Sequence, residues 1–200
     1  MALKFAVNNS LSAVTSLPTA IPTGSMTLLQ TQTASSSASI SFTSGIDSTY
    51  DSYVFKFIDI HPASDSQNFT FQADTGTNTN YNQTITSTVF LTYHGENDTN
   101  TLEYSAGFDQ AQGTAFQYIS NDVGADNDQC LVGTLQLFNP SSTTFVKHFI
   151  STTQNAEANN SSEENFTAGY FNTTSALTRV QFKFVSGNIE SGVIKLYGIS

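Results

Sequence analysis

Three histidines, one cysteine and one knot of aspartates are the places in this 200-residue chain where reactive side chains attract attention. His61 precedes Pro62, His94 follows Tyr93, and His148 sits in FVKHFIS between Val146 and Ile150. No H-x-H or H-E-x-x-H spacing occurs, so a zinc centre is not expected. No G-x-S-x-G elbow is present, and among 26 serines a Ser near a His carries little weight. Cys130 is alone, which excludes an intramolecular disulfide and a thiolate cluster; within QCLVGTLQLF it reads as a small core residue. Asp122, Asp126 and Asp128 in NDVGADND offer closely spaced oxygens of the kind calcium takes. They do not match the EF-hand loop, and an acidic turn between strands is the competing reading. Nothing nominates a pair of glycosidase carboxylates. No phosphate-cradling Gly loop or dinucleotide fingerprint appears, so no cofactor is expected, and the chain reads as a non-enzyme.

Composition narrows the field further. Thr, Ser, Asn and Gln number 28, 26, 17 and 12, yet 38% of residues are hydrophobic and 16 are Phe. That is too apolar for a disordered chain and enough for one core. Sixteen acids against six bases give a net charge of −10, which repels phosphate backbones and argues against nucleic acid. No apolar run approaches 18 residues, so no membrane partner is expected. The opening MALKFAVNNSLSAV breaks into Asn and Ser early, so synthesis without export is the expectation. The N-x-S/T sequons then read as a by-product of composition.

The elements holding these residues are expected to be strands. SASISF (37–42) alternates small polar and apolar residues. In YDSYVFKFIDIH, Tyr53, Phe55 and Phe57 share one face, with Val54, Ile58 and Ile60 on the other. Phe69 and Phe71, then Ile85, Val89, Leu91 and Tyr93, then Leu131, Leu135 and Leu137 also fall in phase, and AFQYIS adds Phe116 and Tyr118. Asn139-Pro140-Ser141-Ser142 predicts a turn into TTFVKHFIST, hence an antiparallel hairpin. NFTAGYFN, RVQFKFV and GVIKLYGIS follow, the last two expected as a second hairpin. Residues 95–112 and the largely polar 154–164 read as long solvated loops. With no helical period, the expectation is an all-β fold: an antiparallel two-sheet β-sandwich, jelly-roll-like, over residues 27–200.

Residues 1–26 differ. Phe5, Val7, Leu11, Val14, Leu17 and Ile21 are scattered among polar residues, with Pro18 and Pro22. An extended arm fits, with a floppy terminus as the competing reading, against which apolar side chains at this density suit an arm that docks. Its partner-binding residues are expected to be Phe5, Val7, Leu11, Leu17 and Ile21.

ASISFTSGIDSTYDSYVFKFIDIHP, LFNPSSTTFVKHFIST and SGVIKLYGIS resemble small β-rich virion proteins of tailed bacteriophages, marine ones especially. MALKFAVNNSLSAV resembles the starts of phage tail and capsid accessory proteins. The resemblance implies a structural protein of the virion, assembled in the host bacterial cytoplasm. Its implied role is a capsid decoration or cement protein reinforcing subunit junctions on the outside of the head. The alternative is a tail-fibre or receptor-binding module contacting host glycans. Implied partners are the major capsid protein and copies of itself as a homo-oligomer, a trimer being the common arrangement.

Overall fold

The computed structural model describes residues 26–200; the arm candidates Phe5, Val7, Leu11, Leu17 and Ile21 lie outside the described residues. Thirteen strands form two antiparallel sheets. The larger contains β1 (Thr27–Ser37), β3 (Ser52–Pro62), β5 (Ile85–Gly95), β6 (Asn100–Tyr104), β9 (Leu131–Phe138), β10 (Lys147–Ala156), β11 (Ser161–Phe171) and β13 (Ile189–Ile199). Its order is β1-β13-β3-β9-β10-β11-β5-β6, with β7 (Ala111–Gly113) also paired to β5. The smaller runs β2-β12-β4-β8, from β2 (Ile40–Phe42), β12 (Leu177–Phe184), β4 (Gln67–Thr75) and β8 (Gln117–Val123). The all-β, two-sheet expectation holds; the strand orders do not establish a jelly-roll.

Phe182 is the hub of the core. Its ring centroid lies 5.1 Å from Phe55 and 5.2 Å from Phe57, with Phe42, Phe69 and Phe71 at 6.2, 6.0 and 6.3 Å. These residues come from both sheets, and the period-two alternation of β3, β4 and β12 brings them together. Edge-to-face packing dominates, as ring quadrupoles favour.

Toward the β10–β11 side the interior changes character. The inward positions of β10 run Lys147, Phe149, Ser151, Thr153, Asn155, and those of β11 run Ser161, Glu163, Asn165, Thr167, Gly169, Phe171. Most are buried and polar, and β8 covers them. Thr153 Oγ1 donates to the Ile119 carbonyl. Thr167 Oγ1 donates to the Tyr118 carbonyl at 3.3 Å, and Ser120 Oγ to Asn155 Oδ1 at 2.7 Å. Asn155 Nδ2 donates to the Asn121 carbonyl at 2.9 Å. Here side-chain hydrogen bonds, rather than apolar contact, join the two sheets.

Several expectations are corrected. Residues 154–164 are not a solvated loop: β10 runs through Ala156, β11 starts at Ser161, and Asn155, Glu157 and Glu163 are buried. Within 95–112, β6 and β7 pair with β5. The buried Gln117 holds this excursion down, donating to the Phe108 carbonyl at 2.9 Å and accepting from Ser87 Oγ at 2.7 Å. In β8, Gln117 and Ile119 face inward while Tyr118, like Phe116 just before the strand, is only half-buried. β12 and β13 are not a hairpin, since they belong to different sheets and 185–188 crosses between them. The expected β9–β10 hairpin is present.

One bulge redirects β3. Asp59 has φ 51° and the register shifts between Phe57 and Ile60, so Ile58 is exposed while Ile60 joins the core. The sequence pattern had placed those two isoleucines on one face. Opposite, Gly192 has φ 125°, and a Cβ there would meet the Asp59 carbonyl at 2.6 Å.

Candidate functional site: a polar end and an exposed sheet face

The segment between β8 and β9 forms one end of the sandwich, where most of the sequence candidates fall. Asp122 belongs to β8, whereas Asp126 and Asp128 are exposed beyond it. Gln129, which is buried, closes the segment. Its Oε1 accepts from the Asp126 amide at 3.1 Å, and its Nε2 donates to the Glu157 carbonyl at 2.9 Å and to Asn160 Oδ1 at 3.2 Å. Among the described residues no three His, Cys, Asp or Glu side chains are placed to hold a metal. The structure therefore does not gather Asp122, Asp126 and Asp128 as the calcium reading required.

Two adjacent depressions flank Asp128 and Gln129. One, of about 410 Å³, is lined by Asp59, His61, Asn127 and Cys130. The other, of about 320 Å³, is lined by His94, Glu96, Gln154 and Asn160. His61 Nδ1 lies 2.7 Å from the Gln129 carbonyl. A carbonyl only accepts, so Nδ1 carries a proton, and in the neutral ring Nε2 is left as the acceptor. Cys130 is half-buried at this end rather than in the core. Burial, then the negative charge of Asp59, pushes its thiol pKa up and keeps it protonated and weakly nucleophilic. His94 is exposed, 3.4 Å from Asp98, and His148 lines a different depression.

Just inside this end lie two buried carboxyls that the sequence reading missed. Glu163 accepts from Asn165 Nδ2 at 2.8 Å and from Asn121 Nδ2 at 3.4 Å. Its pKa is pushed up to about 8, first by burial and then by a hydrogen bond to Glu157, against the opposing pull of Asn165. A carboxyl–carboxyl hydrogen bond needs a proton on one partner. Neither carboxyl lines a described depression, so the pair serves the interior. Their sequence signal is the alternation S-E-N in β11, visible only once a polar interior is allowed.

The solvent side of the large sheet has opposite chemistry. Tyr104, Phe90 and Phe166 stand in register across β6, β5 and β11, with the two Phe rings stacked at 4.9 Å. Phe90, Tyr104, Leu102 and Ile150 are all exposed. A hollow of about 480 Å³ opens over Ala168, walled by Thr86, Thr88, His148, Ile150 and Tyr170. Ala168 is the reason for the hollow, because every neighbouring outward position carries a larger side chain.

No protein-family model matches this chain, and neither does any curated protein or solved structure.

Proposed function

We propose that this chain is a structural protein of a tailed-phage virion, a decoration or cement protein on the outside of the head. The observation that carries the reading is the open face of the large sheet. It presents Phe90, Tyr104 and Leu102 to solvent, with the half-buried Phe166 stacked on Phe90, and an apolar patch of this kind marks a contact surface. Partners are the major capsid protein and further copies of this chain, reached through that face and through the apolar side chains of the arm. A role in assembly needs no reactive centre. It needs a stiff scaffold, and two sheets stitched by both phenylalanines and buried amides supply one. Repetition over a symmetric shell lets modest affinity per copy suffice. Gold labelling or cryo-EM of particles of the encoding phage tests this. Density over the head lattice is expected; label confined to the tail tip, or absent from particles, overturns it.

A tail-fibre or receptor-binding role is the second reading. It is favoured by the aromatic excursion where Phe108 packs 4.9 Å from Tyr118 and Tyr104 stays exposed, since such rings stack on sugars. Tail-tip label is its expected outcome.

A further inference from the structure

One row of side chains crosses the open face from the point where residues 1–25 join the domain. Strand register places Leu28, Tyr197, Val54, Gln136, Ile150, Ala168 and Thr88 side by side. The row thus begins at Leu28, 51% exposed, passes Val54, which its neighbours already cover to 6% exposure, and ends in the Ala168 hollow beside Ile150, 54% exposed. Five of its seven members are apolar or aromatic, and none is charged.

The preceding segment matches it in chemistry. Residues 1–25 contain no acid, and Lys4 is their one charged side chain, whereas all 16 acids fall in the remainder. Such a segment has little to gain from the acidic surface at large and much from an uncharged apolar track.

The lengths also agree. Leu28 to Ala168 is five strand spacings, about 24 Å at ~4.8 Å each. Pro22-Thr23-Gly24-Ser25 is a turn sequence, able to swing the chain from the β1 direction onto the row. Val14 and Ile21 are seven residues apart, which in extended form is roughly 23 Å. With Ile21 beside Leu28, Leu17 falls over Gln136, next to the buried Val54, and Val14 arrives at the hollow.

From this match we infer that residues 14–21 dock across the open face of their own chain, seating Val14 in the hollow between Ile150, Ala168 and Tyr170. Val7 and Phe5 then lie about 23 and 30 Å of extended chain beyond Val14, past the β5 side, where a neighbouring molecule can take them up. The inference rests on the proposed reading of the arm as a docking segment. Its test uses purified protein, so its failure is separable from that of head labelling.

The experiment places a photo-crosslinking benzophenone side chain at position 150 of the full chain, and separately at position 197. Equal amounts of light and heavy isotope-labelled protein are mixed before irradiation. From position 150 the expected crosslink falls in residues 11–17, and from position 197 in residues 17–23, with both peptides of one isotope. Mixed-isotope crosslinks would show the arm lying on a second copy and overturn the own-chain seat. Absence of any crosslink to residues 1–25 overturns the docking. As a second readout, Ala168→Trp fills the hollow. It is expected to speed amide exchange at residues 11–17 at least tenfold while leaving the melting temperature of the domain within about two degrees; unchanged exchange overturns the seat.

Discussion

Glu163 shows what a single side chain does to this fold. In the unfolded chain its carboxyl titrates near 4.5, whereas in the native interior it holds its proton up to about pH 8. Below 4.5 both states are protonated and nothing is lost. Between 4.5 and 8 the unfolded chain releases a proton that the native chain keeps, so this group lowers stability progressively as pH rises. By pH 8 the deficit is on the order of a few kcal/mol. Glu163→Gln keeps an acceptor for Asn165 and a donor for Glu157 but cannot titrate. It is expected to flatten the pH dependence of urea midpoints between 4.5 and 8 and to raise the midpoint at pH 8; an unchanged slope would refute this. Phe182 is the apolar counterpart. Its ring touches phenylalanines of both sheets, so Phe182→Ala is expected to cost about 3–5 kcal/mol in denaturant unfolding.

At the level of strands, one bend organises the polar end. Asp59 adopts a left-handed conformation, Gly192 faces it across the ladder, and together they turn Ile60 into the core while Asp59 and His61 line the cleft. A side chain at 192 meets backbone, not a yielding side chain. Gly192→Ala is therefore expected to destabilise by roughly 1–3 kcal/mol and to shift the NMR signals of His61 and Cys130. This same region marks where sequence patterning stopped being informative. Wherever the inward residues are apolar, as in Phe69 and Phe71 or Val180, Phe182 and Phe184, period two gave the strand and its face. β10 and β11 point Ser151, Thr153, Asn155, Glu163 and Asn165 inward, so hydrophobic alternation vanishes just where the strands are long. The β12–β13 crossing between sheets was equally hidden, because a short polar connection is the same whether it returns to its own sheet or climbs to the other. Of the candidate site, the aspartates, His61 and Cys130 were visible as residues. The hollow over Ala168 was not, because it depends on register across three strands.

For the molecule as a whole, the domain from residue 26 onward contains the entire core described above, so removal of residues 1–25 is expected to leave a cooperative thermal transition and, on the proposed decoration role, to weaken attachment to phage heads. Truncated protein that binds particles as tightly as the full chain would exclude the arm from the contact. Ion pairing contributes little to holding the fold, since among the described residues the one close contact between a basic side chain and a carboxylate, His94–Asp98, is exposed. A sandwich stitched partly by amides and hydroxyls also has a calorimetric consequence. Hydrating newly exposed polar groups lowers the heat-capacity increment of melting, whereas apolar groups raise it. Scanning calorimetry should therefore find less than the usual ~12–15 cal/mol/K per residue. The resulting stability curve is shallow, so the fold tolerates chilling and warming alike.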